Sequence, residues 1–363
     1  MYKISITTVC MNRLSFLCKT LPVSIAENVG YPNLEFVVLD YNSQDGMEAW
    51  ARKNLSKYIE AGILRYYKND VPQYFDLSHS KNMVAKLATG DIICQVDADN
   101  YAGPNYAAWV NEIFSRHGRD TIITTLRKNH IPFRDQGGKI CVSKHLFSSV
   151  LGYDESLVGY GIDDVDLVNR LEKAGGKRFF IEDEKYLKFI GHSDVERLKN
   201  HHLVNNLENI FVQMSASMET HNRVLYLLKD KGFIELNLEF NAALKSNLVL
   251  SYAGWRIRNG GRLKGVFDRT SDGYFLTYSN GSTVVFREEG TEVLTSGMNH
   301  GKEQWKKIRR DNEMFYALVM AYGECVNRLK YVENDKDSNA VNPDGWGKGS
   351  VHLNFDRSNP ITI

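Results

Sequence analysis

Short apolar runs alternate with amphipathic patterns along the first hundred residues. The apolar runs predict four buried strands, over residues 4–9, 34–39, 63–67 and 92–96. Apolar residues at three- and four-residue spacing predict three helices between them, over residues 14–25, 47–59 and 77–88. Strands that alternate with helices are typical of an α/β fold with a mostly parallel, Rossmann-like sheet flanked by helices. We expect this fold for the N-terminal part of the chain.

The pattern becomes more mixed towards residue 200. It predicts further helices over residues 104–114 and 144–151 and from residue 163 onward. It predicts further strands over residues 121–126, 140–142, 178–181 and 186–190. We expect residues 1–200 to form one domain.

The periodicity changes again beyond residue 200. Apolar residues recur at helical spacing over residues 203–231 and predict one long amphipathic helix. We therefore expect residues 201–240 to be a long helix with a linker.

The C-terminal part combines strand and helix patterns. Short alternating strands flank Asn280-Gly281, which is a strong hairpin signal. Residues 303–332 predict a helix with Trp305 and Leu329 facing inward. We expect residues 241–363 to form a smaller α+β region.

Carboxylates follow two of the predicted strands. Asp97 and Asp99 come directly after the fourth strand, and side chains two apart on an extended segment point the same way. Asp40 ends the second strand, so we expect it at the same edge of a parallel sheet, where ligands bind. Convergent carboxylates suit a divalent cation that carries phosphate oxygens, although an Asp-x-Asp is also common in solvated turns. An EF-hand calcium loop is excluded, because Ala108 stands where a bidentate Glu is needed.

A second group of acids begins the helix predicted from residue 163. Asp163, Asp164 and Asp166 follow the flexible segment Gly159-Tyr160-Gly161. One acid at the N-terminus of a helix interacts favourably with the helix dipole, so a capped surface helix is one interpretation. Three acids exceed that need, and like charges so close should raise at least one pKa, as a general base requires.

The remaining sequence signals concern phosphate. His192 follows the strand predicted over residues 186–190 and is a candidate ligand for a cation at Asp99. The first strand is followed by neither the glycine fingerprint of dinucleotide-binding folds nor a P-loop, so both functions lose support. The absent glycine-rich loop also argues against a sugar-phosphate nucleotidyltransferase. We expect a metal ion to neutralise the phosphate charge instead.

Composition narrows the class further. The chain has 45 Lys and Arg against 44 Asp and Glu, so no strong positive field attracts nucleic acid. Its five cysteines include no Cys-x-x-Cys, which predicts reduced thiols in a cytoplasmic protein. Neither a signal peptide nor a membrane-length apolar run is evident, so we expect a soluble protein and leave peripheral contact with the inner membrane face open.

Five segments resemble, in order, the motifs of one enzyme family. They are Val9-Cys10-Met11-Asn12-Arg13, Asp97-Ala98-Asp99, the stretch from Gly137-Gly138 to Ser143-Lys144, Gly159-Tyr160-Gly161-Ile162-Asp163-Asp164-Val165-Asp166, and His192-Ser193. These segments resemble family-2-like glycosyltransferases of the glycosyltransferase-A (GT-A) fold, with local similarity to the C-terminal region of animal β-1,4-galactosyltransferases. The resemblance covers roughly residues 1–200 and implies that they form a catalytic GT-A domain. Tyr160 departs from the family by replacing Trp, and Phe189 by replacing a metal-binding Met.

The resemblance implies a metal-dependent, inverting transfer of a hexose or N-acetylhexosamine. The donor would be a UDP-sugar and the acceptor a hydroxyl of a glycan. Asp164 matches the catalytic base of the family. Asp163, Tyr160 and Gly161 would bind the acceptor.

The resemblance also assigns the donor side of the site. Asp99 and His192, with help from Asp97, would hold Mn²⁺ or Mg²⁺, and a His ligand favours Mn²⁺. The residues expected to contact the nucleotide-sugar are Thr8, Asn12, Arg13, Asp40, Lys81, Asn82, Asp97 and Gly138. For Lys81 and Asn82 a solvated helix face is the alternative.

Other functions stay open at this point. A non-catalytic nucleotide-sugar-binding protein would tolerate the loss of Asp164, and a nucleotidyltransferase would release pyrophosphate instead of UDP. From what relatives commonly do, we expect a role in bacterial polysaccharide synthesis. Residues 241–363 would serve packing, homodimerisation or acceptor binding.

Overall fold

The chain folds into two compact units. The computed structural model describes residues 1–126, 137–213, 222–238, 257–289, 292–296, 304–336 and 341–363. One unit comprises residues 1–192 and 326–363, and the other residues 193–325. Residues 326–363, which were predicted to belong to the C-terminal region, therefore group with the N-terminal unit.

The described residues form strands and helices throughout. The strands are β1 (Ile4–Cys10), β2 (Leu34–Tyr41), β3 (Leu64–Asn69), β4 (Ile92–Gln95), β5 (Thr121–Thr124), β6 (Ile140–Ser143), β7 (Lys177–Phe180), β8 (Leu207–Gln213), β9 (Asn222–Leu228), β10 (Gly232–Leu238), β11 (Ile257–Arg269), β12 (Gly273–Tyr278), β13 (Thr283–Glu289), β14 (Glu292–Ser296), β15 (Gln304–Ile308), β16 (Ser350–Leu353) and β17 (Ile361–Thr362). The helices are α1 (Leu14–Ala26), α2 (Met47–Glu60), α3 (Leu77–Leu87), α4 (Tyr106–His117), α5 (Lys144–Ser149), α6 (Asp163–Lys173), α7 (Asp194–Leu198), α8 (His202–Asn206) and α9 (Glu313–Lys336). None of the helices in these ranges is long and apolar enough to cross a bilayer.

The first unit is built on one mixed sheet. Its strand order is β17-β16-β3-β2-β1-β4-β6-β5-β7. Strands β3, β2, β1 and β4 run parallel, as do β5 and β7, whereas β6 runs antiparallel to both of its neighbours. This arrangement confirms the predicted α/β fold with a mostly parallel sheet.

Apolar side chains fill both faces of this sheet. In β2, Phe36 and Val38 belong to one buried cluster, and Val37 and Leu39 belong to another. Successive strand residues point to opposite faces, so a strand covered on both sides is apolar throughout. Each such side chain stabilises the fold by about 1.5–3 kcal/mol when it is fully buried.

The second unit contains a closed antiparallel sheet. Its strands pair in the order β10-β11-β12-β13-β14-β15-β8-β9, and β9 pairs back with β10. Aromatic side chains form much of its interior, among them Phe211, Phe286 and Trp305. The hairpin predicted at Asn280-Gly281 is confirmed and joins β12 to β13.

The long helix predicted over residues 203–231 was wrong. The described residues there form the short helix α8 and the antiparallel strands β8 and β9. Ile210-Phe211-Val212 and Val224-Leu225-Tyr226-Leu227 are buried continuously, and such short apolar runs fit a strand as well as a helix face. Pairing within the closed sheet decides between the two.

Two further element predictions need correction. Residues 303–332 do not form one helix, because Trp305 lies in β15 and α9 begins at Glu313. The strand predicted over residues 186–190 is replaced by a 3-10 turn at Glu184–Tyr186 and one bridge between Asn100 and Phe189. The antiparallel strands β16 and β17, which were not predicted, extend the sheet beyond β3.

Replacing Trp305 or Leu329 by alanine tests the observed elements against the predicted helix, in which both side chains would face inward. Trp305 is 2% exposed in the closed sheet, whereas Leu329 is 50% exposed. We expect Trp305→Ala to lower the free energy of unfolding of its unit by about 3–5 kcal/mol, and the control Leu329→Ala to change stability by less than about 0.5 kcal/mol. Urea denaturation with hydrogen exchange would measure both, and losses of equal size would contradict this packing.

Candidate functional site

The site forms where β1 and β4 end at the same edge of the sheet. Asp97 and Asp99 follow β4 directly, and the Asn100 amide donates to the Asp97 carbonyl at 2.9 Å, which closes a turn. The Asn100 side chain donates to Asp99 Oδ1 at 2.8 Å and fixes that carboxylate. Asp99 is 6% exposed.

Residues 188–190 bring His192 to Asp99. The Ile190 amide donates to the Asp99 carbonyl at 2.8 Å, and the Tyr101 amide donates to the Lys188 carbonyl at 3.1 Å. His192 Nε2 then lies 2.7 Å from Asp99 Oδ2. The structure thus brings together the two residues that the sequence predicted as metal ligands.

Lys139, which was not predicted, holds the same two segments together. Its buried Nζ donates to the Tyr101 carbonyl at 2.7 Å and to the Tyr186 carbonyl. Burial lowers the pKa of Lys139 to about 8. Its position after Gly138 carries no sequence signal for this role, since the contacts join segments far apart in the chain.

Arg13 adds a positive charge from the loop after β1. Its guanidinium lies 3.4 Å from Asp99 Oδ2 and 3.3 Å from His192 Nε2. Burial alone would raise the pKa of Asp99, but the contacts with His192 and Arg13 lower it below its ordinary value. Asp99 is therefore held as a carboxylate that attracts cations.

The Asp99–His192 pair fits a divalent cation. Two donor atoms that bind one cation at about 2.1 Å lie roughly 3 Å apart, which is close to the separation of this pair. Oxygen with imidazole nitrogen suits Mn²⁺. Within the described part of the chain, no group of three His, Cys, Asp or Glu side chains could hold a cation by itself. A cation would therefore take its other ligands from a diphosphate or water.

Lys81 links the Asp97–Asp99 loop to the acidic helix α6. Its Nζ lies 3.6 Å from Asp97 Oδ1 and donates to Asp164 Oδ1 at 3.2 Å. Burial acts to lower the pKa of Lys81, but Asp164 and Asp97 raise it well above its ordinary value. Lys81 is thus a buried ammonium, and the alternative of a solvated helix face was wrong.

Tyr153 is a second residue at Asp164 that was not assigned a role from the sequence. Its hydroxyl oxygen lies 2.9 Å from Asp164 Oδ1 and 2.6 Å from Gln95 Oε1. Together with Lys81, it fixes the position of the Asp164 carboxylate. The segment Gly152-Tyr153-Asp154-Glu155 stands out in the sequence, but this contact depends on how α6 packs.

Asp163 and Asp166 differ from Asp164 in their surroundings. Asp163 is 6% exposed, and burial with the nearby Asp164 charge raises its pKa to about 7. Asp166 forms a buried ion pair with Arg170 at 2.7 Å, so it stabilises α6. The capped surface helix therefore does not account for these acids.

The backbone before α6 is strained. Gly159, Gly161 and Ile162 have φ values of +88°, +97° and +75°. Ile162 is β-branched, and such a residue in the left-handed region costs about 1–2 kcal/mol. Tyr160, at the position of the Trp, is partly exposed.

The predicted nucleotide-sugar residues fall into two groups. Arg13, Lys81 and Asp97 surround the site, and Gly138 lies so close that an added Cβ would be 2.2 Å from Asp97 Oδ2. Asn12 lies in the loop after β1 with φ +54° and accepts the Gln44 amide at 2.6 Å.

The side chains of the other predicted residues are hydrogen-bonded to other parts of the protein. Thr8 donates to the Val96 carbonyl at 2.9 Å, and the buried Asp40 binds Lys68 at 3.0 Å. Asn82 is fully buried, and its side-chain amide bonds Tyr153 and Glu155, so its contact with the nucleotide-sugar stays a prediction.

Family models match the N-terminal part of the chain. The model described as glycosyl transferase family 2 matches residues 5–149. The model described as the N-terminal domain of galactosyltransferase matches residues 126–202. Together they span more than half of the chain. A search of curated proteins found no match.

Three solved structures match this chain at low sequence identity. Staphylococcus aureus TarS 1–349 is 16% identical over 51% of this chain and 59% of its own, with a TM-score of 0.41. The mannosyltransferase PcManGT from Pyrobaculum calidifontis, in complex with GDP-Man and Mn²⁺, is 17% identical over 56% of this chain and 64% of its own, with a TM-score of 0.44. GalNAc-T7 with UDP, GalNAc and Mn²⁺ is 12% identical over 85% of this chain and 82% of its own, with a TM-score of 0.44. The chain thus spans less than two thirds of the length of the first two.

The sheet topology, the site at its edge and the two overlapping family models agree with one another. Residues 5–149 are thus similar to family-2 glycosyltransferases and residues 126–202 to galactosyltransferases, and the sheet topology agrees with a glycosyltransferase domain of the GT-A fold.

Proposed function

We propose that this chain transfers a hexose or N-acetylhexosamine from a UDP-sugar to a hydroxyl of a glycan acceptor, with inversion. The observation that carries the proposal is the convergence of two pairs of ionisable side chains beyond the ends of β1 and β4. Asp99 contacts His192, and Asp164 contacts Lys81, which also lies beside Asp97. The first pair supports donor binding through a metal, and the second supports base catalysis.

The donor would lie over the Asp99–His192 pair. These two residues would hold Mn²⁺ or Mg²⁺, with Asp97 assisting through ribose or water. When bound, the cation neutralises the diphosphate of the leaving UDP. Arg13 would add a second positive charge beside the same phosphates, since its guanidinium already lies at Asp99.

Asp164 would act as the general base. It would accept the proton of the acceptor hydroxyl as that oxygen attacks the anomeric carbon, while the bond from that carbon to UDP breaks and UDP leaves with the electron pair. Its carboxylate is 18% exposed, which leaves it open to an acceptor. Lys81 and Tyr153 would hold it in position, and Asp163, Tyr160 and Gly161 would orient the acceptor.

The biological setting we propose rests on the resemblance alone. It is bacterial polysaccharide synthesis in the cytoplasm, at or near the inner face of the membrane.

Replacing the base tests the catalytic assignment. We expect Asp164→Asn to lower transfer by about 10²- to 10⁴-fold, because the amide cannot accept the proton, while UDP still binds. Release of UDP from a panel of UDP-sugars with Mn²⁺ measures turnover without a known acceptor, and calorimetry measures UDP binding. Asp120→Asn, at an exposed position, is the matched control. Normal turnover of Asp164→Asn would contradict the assignment, and release of pyrophosphate would indicate a nucleotidyltransferase.

Removing either predicted metal ligand tests the donor site. We expect His192→Ala and Asp99→Ala each to weaken UDP binding in Mn²⁺ by at least about tenfold, since even partners outside the metal's ligands cost that much. With EDTA, wild type and variants should bind UDP equally weakly. The control His117→Ala removes an exposed histidine of α4 and should change the affinity for UDP neither with Mn²⁺ nor with EDTA. Equal Mn²⁺-dependent binding by wild type and His192→Ala would exclude His192 as a ligand.

Asp163 predicts a pH dependence of stability. Its pKa of about 7 in the folded chain lies above the unfolded value of about 3.9. The folded state therefore keeps a proton that the unfolded state loses, so this group's contribution to stability falls as pH rises from about 4 to 7. We expect Asp163→Asn to gain stability relative to wild type between pH 5 and pH 8 in urea denaturation. A difference that does not change with pH would show that Asp163 is not perturbed.

A further inference from the structure

Three asparagine side chains, two of them buried, connect the C-terminal part of the chain to the segment before α6. Asn327 and Asn334 lie on α9, and Asn342 lies beyond it. All three belong to the same compact unit as the candidate site. Neither family model extends beyond residue 202, so neither covers these residues.

Asn327 bridges the loop that precedes the acidic helix. Its amide nitrogen donates to the Gly161 carbonyl at 2.8 Å, and its oxygen accepts the Val158 amide at 2.9 Å. The side chain is 1% exposed. The Asn327 side chain thus bonds one backbone N–H and one backbone C=O of the loop, as a neighbouring strand would. These two hydrogen bonds fix the loop at two points.

Asn334 holds the two ends of the same segment. It lies two helical turns after Asn327 and therefore on the same face of α9. Its amide nitrogen donates to Asp154 Oδ2 at 2.7 Å and to Asp166 Oδ1 at 3.0 Å. Asp154 and Asp166 are both buried. Loss of the Asn334 side chain would therefore leave each of these carboxyl groups with one hydrogen-bond donor fewer.

Asn342 completes the restraint on the N-terminal side. Its amide nitrogen donates to the carbonyls of Leu151 and Tyr153 at 2.8 and 2.7 Å, and its oxygen accepts the Glu155 amide at 3.0 Å. The main chain of Tyr153, whose hydroxyl contacts Asp164, is thus held from the C-terminal segment.

The restrained segment contains the strained turn. Gly161 and Ile162 both have positive φ, and Asp163 and Asp164 follow directly. Strain of this kind persists only where surrounding contacts hold the backbone, and Asn327 contacts the carbonyl at the centre of this turn.

We propose that Asn327 is a positioning residue, which together with Asn334 holds residues 158–162 in the one conformation that directs Asp164 at the acceptor. This proposal rests on the proposed function of Asp164. In this chain, α9 orders the acceptor loop before any acceptor arrives, so its C-terminal half works as part of the transferase unit.

Hydrogen exchange in the intact chain tests whether the loop is held. In wild type, the Val158 amide should exchange slowly, because it donates to Asn327. Asn327→Asp keeps that acceptor and loses only the donor to Gly161, whereas Asn327→Leu loses both. We expect exchange over residues 157–162 to accelerate by about tenfold or more in Asn327→Leu. Asp335→Asn is the matched control, because Asp335 lies on α9 at an exposed position and its carboxylate contacts Lys173 and Asn169.

Hydrolysis of UDP-sugars with Mn²⁺ tests whether the restraint serves catalysis. We expect both Asn327 variants to keep the wild-type KM within about twofold and to lose about 10- to 100-fold in kcat, since small displacements of a catalytic group have such effects. If Asn327→Leu does not fold, Asn327→Asp carries the test.

Three outcomes would overturn the proposal. They are fast exchange at Val158 in wild type, unchanged kcat in a folded Asn327 variant, and a parallel loss of UDP–Mn²⁺ affinity. A wild-type chain that hydrolyses none of the UDP-sugars while Val158 exchanges slowly would instead contradict the proposed function of Asp164.

Discussion

The 2.7 Å contact between Asp99 and His192 organises the donor side of the molecule. It joins the end of β4 to a segment more than ninety residues later in the chain. Backbone hydrogen bonds between residues 99–101 and 188–190 hold the two main chains at a fixed separation, and this keeps the two side chains in contact. Lys139 holds the same segments by their carbonyls. A cation that bound here would meet two ligand atoms already close together and would displace the Arg13 guanidinium, which lies against both of them.

Lys81 gives the acidic half of the site its cohesion. Asp97 and Asp164 come from different elements, and without a cation between them their charges would repel in a poorly solvated region. A buried ammonium is itself costly, and it is sustained here because two carboxylates face it. Asp164, the proposed base, and the Asp97–Asp99 loop are therefore coupled through one side chain. This coupling would keep the proposed donor and acceptor residues at a fixed separation.

The parts of the fold that follow local rules were predictable. Strands β1 to β4 and helices α1 to α4 appear where apolar periodicity predicts them, because each element buries its own residues on a fixed period. The same rules failed over residues 203–231, because a strand that is buried on both faces has a continuous apolar run. Such a run also fits the apolar stripe of a helix. They also missed β16, whose pairing with β3 joins residues almost three hundred positions apart.

Within the candidate site, the sequence predicted the acidic residues and His192 but not the contacts of Tyr153 and Lys139. Asp97, Asp99, Asp163, Asp164 and His192 stand out by type and spacing, and the structure brings Asp99 to His192. The sequence assigned no role to Tyr153 or Lys139, because their contacts exist only after distant segments pack. Asn82, which was predicted beside Lys81 as a contact of the nucleotide-sugar, is buried and hydrogen-bonded to Tyr153 and Glu155.

A crystal structure of the chain with UDP and Mn²⁺, with anomalous data collected at the manganese edge, would test the account most directly. The account predicts one manganese peak bonded to Asp99 and His192 and to the diphosphate, with Asp164 facing the same crevice. Manganese bound elsewhere, or UDP bound at this edge of the sheet with His192 turned away from the metal, would contradict it.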